Sequence, residues 1–374
     1  MSKAEKFAFL HHPLVLGSFR NWVRLLQCCG GIDRPYWGRA LLITAGSFFT
    51  IPLRWYERAR FQKKLDALQL KEPPVFIIGH WRSGTTYLHN LMCQDAALDS
   101  VKTFQTVASE FSIVGGKWLK PLFASFAPEH RFMDNVRLSL DGPQEEEHSV
   151  ANMCLYSFYH HMYFPRRARF LFERYALFQG VSSAEIERWK TIYQQVLKIA
   201  TLKAGGKRLL IKNPSLTGRI RAVLELYPDA KFIYIYRNPY EVFLSTRHFY
   251  QKAYQNLGLQ AISPEENEAN ILAFYPLLLH QYAADKALIP PGNLAEVRYE
   301  TLIAQPLDTV QAVYRQLGLS GYAAAEPRFR AYIAAQKTYQ KNRFVISPAD
   351  IERVQQHWGF ALKEGDYSLP EGAR

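Results

Sequence analysis

Three basic side chains stand at or just behind the ends of apolar runs in this sequence: Arg82 follows PVFIIG by three residues, Lys212 closes RLLIK, and Arg237 follows KFIYIY. Each run has the length and composition of a strand covered on both faces. Ligands of parallel sheets sit at the carboxyl ends of the strands, so the three cations should converge on one rim. Such a rim attracts an anion. The first loop adds the parts of an anion cradle: Gly79 and Gly84 let the backbone bend, and Ser83, Thr85 and Thr86 bring hydroxyls to the start of a helix, TTYLHNLMCQ. The pattern is close to a nucleotide P-loop, but a Walker loop places lysine and then serine or threonine behind its glycine, and here the order is Arg82-Ser83-Gly84-Thr85-Thr86. A magnesium-dependent nucleotidase also needs an acidic residue at a neighbouring strand end. Lys212 and Arg237 occupy those places, where they repel a metal and attract phosphate. The residues therefore describe a phosphate-rich ligand handled without Mg²⁺.

With those residues in view, VFIIGHWRSGTTYLHNL resembles the 5′-phosphosulfate loop of sulfotransferases that use 3′-phosphoadenosine 5′-phosphosulfate (PAPS). YRNPYEVFLSTRHFY resembles their 3′-phosphate segment, an arginine with a serine eight positions later, and Arg237 and Ser245 have that spacing. The stretches RFMDNVRLSLDGPQEEE (131–147), KNPSLTGRI (212–220) and VRYETL (297–302) resemble a bacterial branch of the same superfamily. The resemblance implies transfer of a sulfuryl group from PAPS to the hydroxyl of an alcohol, phenol, sterol or lipid, with no metal. It places Arg82 where many members have a catalytic lysine, gives the 5′-phosphosulfate to Ser83, Gly84, Thr85 and Thr86, and puts Tyr87 where an aromatic ring often stacks on adenine. Two departures stand out. The Arg-Lys-Gly segment that closes over the 3′-phosphate in cytosolic animal enzymes is absent, leaving Lys341 and Arg343 as the candidates, and no histidine matches their catalytic base.

In-line sulfuryl transfer needs a held donor, a cation on the bridging oxygen and a group that takes the acceptor's proton. Arg82 suits the second task, with Lys212 either catalytic or steering the ligand electrostatically. The base is to be found among Glu145, Glu146, Glu147, His148 and Glu110, with His160 and His161 behind them. Glu145 is preferred because GPQEEEH resembles a recurring element of the bacterial branch. The bland alternative for three glutamates is a solvated helix start. For the histidine pair, in an aromatic stretch with no third ligand spaced for a metal, it is a place in the core or a pocket wall.

Positioning these residues takes three strand–loop–helix units, at 74–94, 208–227 and 231–250, and their repetition predicts an α/β fold: a P-loop-type parallel sheet flanked by helices. Asn238, Pro239 and Glu241 read as N-cap, first helical residue and capping-box partner of the third helix. VRYETL reads as a further strand and Pro306 to Leu317 as a helix. Residues 1–72 read as a helical segment packed on a main domain, 73–374, within which roughly 93–206 forms a helical, acceptor-binding cap. In the first segment Phe19, Trp22, Val23 and Leu26 face one way and Arg20, Arg24 and Gln27 another.

Forty-six Lys plus Arg against 33 Asp plus Glu give a net charge of +13, which suits an anionic ligand, a nucleic acid or an acidic membrane. The cations are spread along the chain and no nucleic-acid module is recognisable, which disfavours the second. Cysteines at 28, 29, 93 and 154 show no paired spacing, so a reducing cytoplasm is expected, and the amino terminus lacks the order of a secretory signal. The 14-residue apolar run from Ala40 to Leu53 is shorter than the ~20 residues that span a bilayer. With GSFRNWVRLL it suits peripheral membrane contact and an apolar, lipid or sterol-like acceptor, or else a place in the core. The competing function is a P-loop kinase or nucleotidase.

Overall fold

The structure, a computed structural model, describes residues 12–124, 139–336 and 344–369. Lys341, Arg343 and the RFMDNVRL part of the 131–147 stretch lie outside these. Among the described residues three α-helices precede the first strand: α1 (Phe19–Cys28), α2 (Trp37–Phe49) and α3 (Ile51–Ala67). Strand β1 (Val75–Gly79) leads through a loop into α4 (Thr85–Met92) and the short β2 (Leu98–Asp99). Among the helices that follow are α5 (Glu147–Met153) and α6 (Ser183–Lys203), before β3 (Arg208–Lys212). β4 (Lys231–Tyr236) runs into α7 (Pro239–Leu257); α8 (Pro264–Asp285), β5 (Leu294–Arg298), α9 (Tyr299–Ala304) and α10 (Pro348–Glu364) come after it. The described residues form two compact units, one of residues up to 72 with 100–209 and 251–262, the other of 73–99, 210–250 and those from 263 on.

The second unit holds the sheet, in the order β2-β3-β1-β4-β5. β1 runs parallel to both neighbours, with Ile77 beside Lys212 of β3 and Gly79 beside Ile235 of β4, and β5 runs parallel to β4. Helices cover both faces. On one, Val75, Ile77, Ile233 and Ile235 pack with Leu88, Leu91 and Met92 of α4. On the other, Phe76 stacks on Phe232 at 5.6 Å, and Tyr234 stacks on Tyr282 of α8 at 3.7 Å. Trp358 of α10 lies on Tyr275 of α8 at 4.0 Å and donates to the Leu272 carbonyl. Burial on both sides is why β1 and β4 read as unbroken apolar runs, each such side chain contributing about 1.5–3 kcal/mol.

Two local readings are corrected. Only the first two residues of VRYETL are strand: β5 ends at Arg298 and a helix begins at Tyr299. In β5 the buried Ala295 and Val297 alternate with exposed Glu296, as in an edge strand, whereas the buried Tyr299 and Leu302 are three apart, the helical period. At the head of α7, the Asn238 side chain accepts from the Tyr240 N–H at 3.1 Å, but Glu241 does not close a capping box. Its carboxylate pairs with Arg237, and the Asn238 N–H donates to Glu300 at 3.0 Å instead.

In the first unit, α1 buries Asn21, Trp22 and Leu25, while Val23, expected beside Trp22, is exposed. The Trp22 indole donates to Thr44 Oγ1 of α2 at 2.8 Å, which makes it part of the packing. The apolar run from Ala40 to Leu53 breaks at Thr50, where Pro52 sits in the first turn of α3 and suits a helix start. Buried Arg54 then binds α3 in place, donating to the Ser47 and Leu16 carbonyls, both at 2.8 Å. Among the described residues no helix is long and apolar enough to cross a membrane.

Candidate active site

All the basic residues expected at the rim lie in the second unit, and hydrogen bonds join them around the loop behind β1. Gly79 leaves the strand at φ +140°, where a Cβ would stand 2.2 Å from the Ile235 carbonyl oxygen. Its N–H donates to Thr217 Oγ1 at 2.8 Å, and that hydroxyl donates back to the Gly79 carbonyl at 3.0 Å. Arg82 takes a left-handed backbone conformation, φ 68°, unusual for a residue with a Cβ. Its Nε donates to Ser245 Oγ at 2.9 Å, and its guanidinium lies 5.6 Å from the centre of the Phe249 ring, so α7 holds it twice. Gly84, at φ +93°, opens α4, and a Cβ there would meet the Tyr299 ring at 2.2 Å. Ser83 and Thr85 are buried, and Thr86 is half-buried. The first amides of α4 point back into this loop, as helix N-termini that bind anions do.

Lys212, 2% exposed at the end of β3, donates to Thr86 Oγ1 at 3.3 Å. Arg237 donates to the Arg82 carbonyl at 3.1 Å and lies 4.4 Å over the Tyr299 ring. Its Nε donates to Glu241 Oε2 at 2.7 Å, so a carboxylate already occupies part of its donor set. Ser245, expected to serve with Arg237, is engaged by Arg82. Tyr87 is half-buried, its ring 6.3 Å from Tyr332, and burial pushes its phenol above the usual range. His80, against Tyr275, is held down to about 4 by burial despite its bond to the Trp81 carbonyl, and is neutral at pH 7.

Glu145 belongs to the first unit, just ahead of α5, where its carboxylate accepts from the Tyr159 hydroxyl and His148 sits edge-on to the Tyr159 ring. The acidic run is not a solvated helix start, because Glu146 and Glu147 are fully buried. Tyr193 of α6 donates to Glu146 at 2.8 Å and Ser157 to Glu147 at 2.7 Å. Glu110 pairs with Arg54 at 3.1 Å, and burial raises its carboxyl against that partner. His160 and His161 are buried and held below the usual imidazole range by desolvation, the latter at about 3. The sequence reading missed Tyr299, Thr217 and Glu241 as parts of the rim. Tyr299 stands directly behind β5 and satisfies the same strand-end rule as the cations; taking 297–302 for a strand hid it.

A family model described as "Sulfotransferase family" matches residues 73–323. Omega-hydroxy-beta-dihydromenaquinone-9 sulfotransferase Stf3 of Mycobacterium bovis is 32% identical over 367 residues, 97% of this chain and 94% of its own, and the protein of that name from Mycobacterium tuberculosis matches to the same extent. Among solved structures, sulfotransferase STF9 from Mycobacterium avium superposes with a TM-score of 0.66 at 19% identity, covering 95% of this chain and 98% of its own. Sulfotransferase STF1 from Mycobacterium tuberculosis H37Rv gives 0.65 at 18% identity, covering 91% and 92%. The last two establish that the fold is shared. The family match, the full-length relatives and the parallel sheet with its P-loop-like first turn agree, and the kinase or nucleotidase alternative falls away: the chain belongs to the sulfotransferase family.

Proposed function

We propose that this sulfotransferase moves the sulfuryl group of PAPS to the hydroxyl of an apolar alcohol, without a metal, from the cytoplasmic face of a membrane. The observation that carries the donor assignment is the loop behind β1, where Arg82, Lys212 and Arg237 are joined through Ser245, Thr86 and the Arg82 carbonyl at the start of a helix. PAPS supplies the activated sulfuryl group and a 3′-phosphate. Ser83, Gly84, Thr85 and Thr86 hold the 5′-phosphosulfate, Arg237 and Ser245 take the 3′-phosphate, and Tyr87 borders the adenine. Arg82, with Lys212 behind it, neutralises the bridging oxygen as its bond to sulfur breaks and the acceptor oxygen bonds to sulfur in turn. Glu145 takes the acceptor proton, its carboxylate oriented by the Tyr159 hydroxyl.

The acceptor class is inferred from the relatives named for a hydroxylated menaquinone: at 32% identity over 97% of the chain, a similar apolar alcohol is the substrate to test first. The test is incubation with sulfur-labelled PAPS and a panel of hydroxylated quinones, sterols, phenols and sugars, with a chelator present. Label on an apolar alcohol is expected. Label on sugars alone overturns the acceptor assignment, and transfer that occurs only with ATP and Mg²⁺ overturns the donor assignment.

A further inference from the structure

Of the twelve large apolar side chains found exposed among the described residues, seven fall between Val23 and Tyr56. Four cluster where α2 gives way to α3: Phe48, Phe49, Trp55 and Tyr56 are 52%, 76%, 73% and 59% exposed. Thr50 alone separates the two helices. The Phe48 ring touches Phe19 of α1 at 5.5 Å and Phe49 at 5.7 Å, so the aromatic surface is continuous across the junction. Trp37 and Leu41, both exposed, lie on the same stripe of α2 as Phe48 at 100° per residue. On α3 the exposed Pro52, Trp55, Tyr56, Ala59 and Lys63 share one face, apolar in its first turns and basic beyond. A surface of this kind marks an interaction site.

Charge selects the partner. From residue 12 to Lys64 the exposed charged side chains are all cations, among them Arg20, Arg24, Arg58, Arg60 and Lys63. The two carboxylates of that stretch are taken, Asp33 by Arg166 and Glu57 by the N–H groups of Ile113 and Val114. A second copy of the chain on this face would bring these cations together, with Asp66 in the last turn of α3 the one exposed carboxylate of the three helices to meet them. A bilayer with anionic headgroups offers phosphates to the cations and a boundary region that favours tryptophan and tyrosine.

We infer that α1, α2 and α3 form a docking surface for an anionic bilayer, with the aromatic side chains at the headgroup boundary and the cations on lipid phosphates. The inference deepens the apolar-acceptor reading, from which its test is separable. The full chain is sedimented with phosphatidylcholine vesicles with and without phosphatidylglycerol, at low and high salt. Binding is expected only to the phosphatidylglycerol vesicles and should weaken as salt rises. Phe49→Ser with Trp55→Ser should lower it at least ~10-fold, and so should Arg58→Glu with Lys63→Glu, with affinity for adenosine 3′,5′-bisphosphate unchanged in every variant. Unaltered vesicle binding in both variants overturns the inference. A wild-type chain that is dimeric and becomes monomeric in Phe49→Ser with Trp55→Ser also overturns it, making this face a contact between copies. A short, water-soluble alcohol keeps the two readings apart: variants that lose vesicles yet still sulfate it support both, whereas vesicle binding without sulfation of any alcohol leaves the docking surface standing and removes the proposed activity.

Discussion

Replacing Arg237 by alanine tests the donor assignment most directly, because the structure shows what else that guanidinium does. It donates to the Arg82 carbonyl at 3.1 Å, pairs with Glu241 and covers the Tyr299 ring at 4.4 Å. The Glu241 side chain is 40% exposed, so solvent screens that pair and its loss costs folding at most ~1 kcal/mol. A charge-assisted contact to a 3′-phosphate is larger, about 1.5–3 kcal/mol, which corresponds to a roughly 10–150-fold rise in Kd. Calorimetric titration with adenosine 3′,5′-bisphosphate should show that rise, and titration with adenosine 5′-phosphate should show almost none. Glu241 supplies a second arm of opposite sign. Its carboxylate competes with the phosphate for the same N–H groups, so Glu241→Gln should tighten the bisphosphate by about 2–5-fold, the size of an exposed ion pair. Equal losses on both nucleotides in Arg237→Ala would mean that the residue only braces the loop through Arg82. Weaker binding in Glu241→Gln would refute the competition.

The remaining predictions address catalysis and stability. Arg82→Ala should lower kcat far more than donor affinity, and Arg82→Lys should keep part of the rate; a change confined to KM in steady-state assays would reduce the residue to a phosphate clamp. Glu145→Gln should cost ~10²–10⁴-fold in turnover of an alcohol, less for a phenol, with nucleotide affinity intact by titration. Gly84→Ala combines a left-handed φ with an overlap at 2.2 Å, and should destabilise the fold by roughly 2–5 kcal/mol in urea titrations. In that background Tyr299→Ala should recover the share due to overlap and not the share due to φ. Burial pushes the Glu57 carboxyl up from 4.5 to about 7, so the folded state binds its proton more tightly than the unfolded state does. Stability should therefore fall as pH rises from about 4.5 to 7, by at most ~3 kcal/mol, and Glu57→Gln should flatten that slope in denaturation series across the window.

What was legible in the sequence follows from how far each signal reaches along the chain. β1, β3 and β4 are central strands, so their apolar runs and the basic residues behind them could be read without any partner. β5 lies at the edge of the sheet and alternates, and the turn behind it was taken for strand. For Trp22 the sequence leaves membrane contact and core packing both open, because helical periodicity cannot say which side of α1 faces protein; its partner, Thr44, is 22 positions away. For the three glutamates the sequence leaves a catalytic base and a solvated helix start both open for the same reason, since Tyr193, which donates to Glu146, lies 47 positions on. Glu241 was placed in a capping box by local spacing, but Arg237 one turn earlier offers a full charge where the Asn238 N–H offers a dipole, and the charge wins.

The least legible part of the site is also the part that joins the loop behind β1 to the loop behind β4. Tyr299 and Glu300 are consecutive, and each reaches a different loop. The Tyr299 ring fills the space above Gly84, where the loop behind β1 enters α4, and carries the Arg237 guanidinium on its face. Glu300 accepts from the Asn238 N–H at 3.0 Å and from the Tyr367 hydroxyl at 3.1 Å, fixing the turn that aims Arg237. Moving this one helical turn would disturb the loops behind β1 and β4 together, whereas the bond from Lys212 to Thr86 reaches the first of them. Gly84 follows from the same geometry: no residue with a Cβ could stand between the ring and the loop, so the glycine is required by Tyr299 as much as by its own backbone angle.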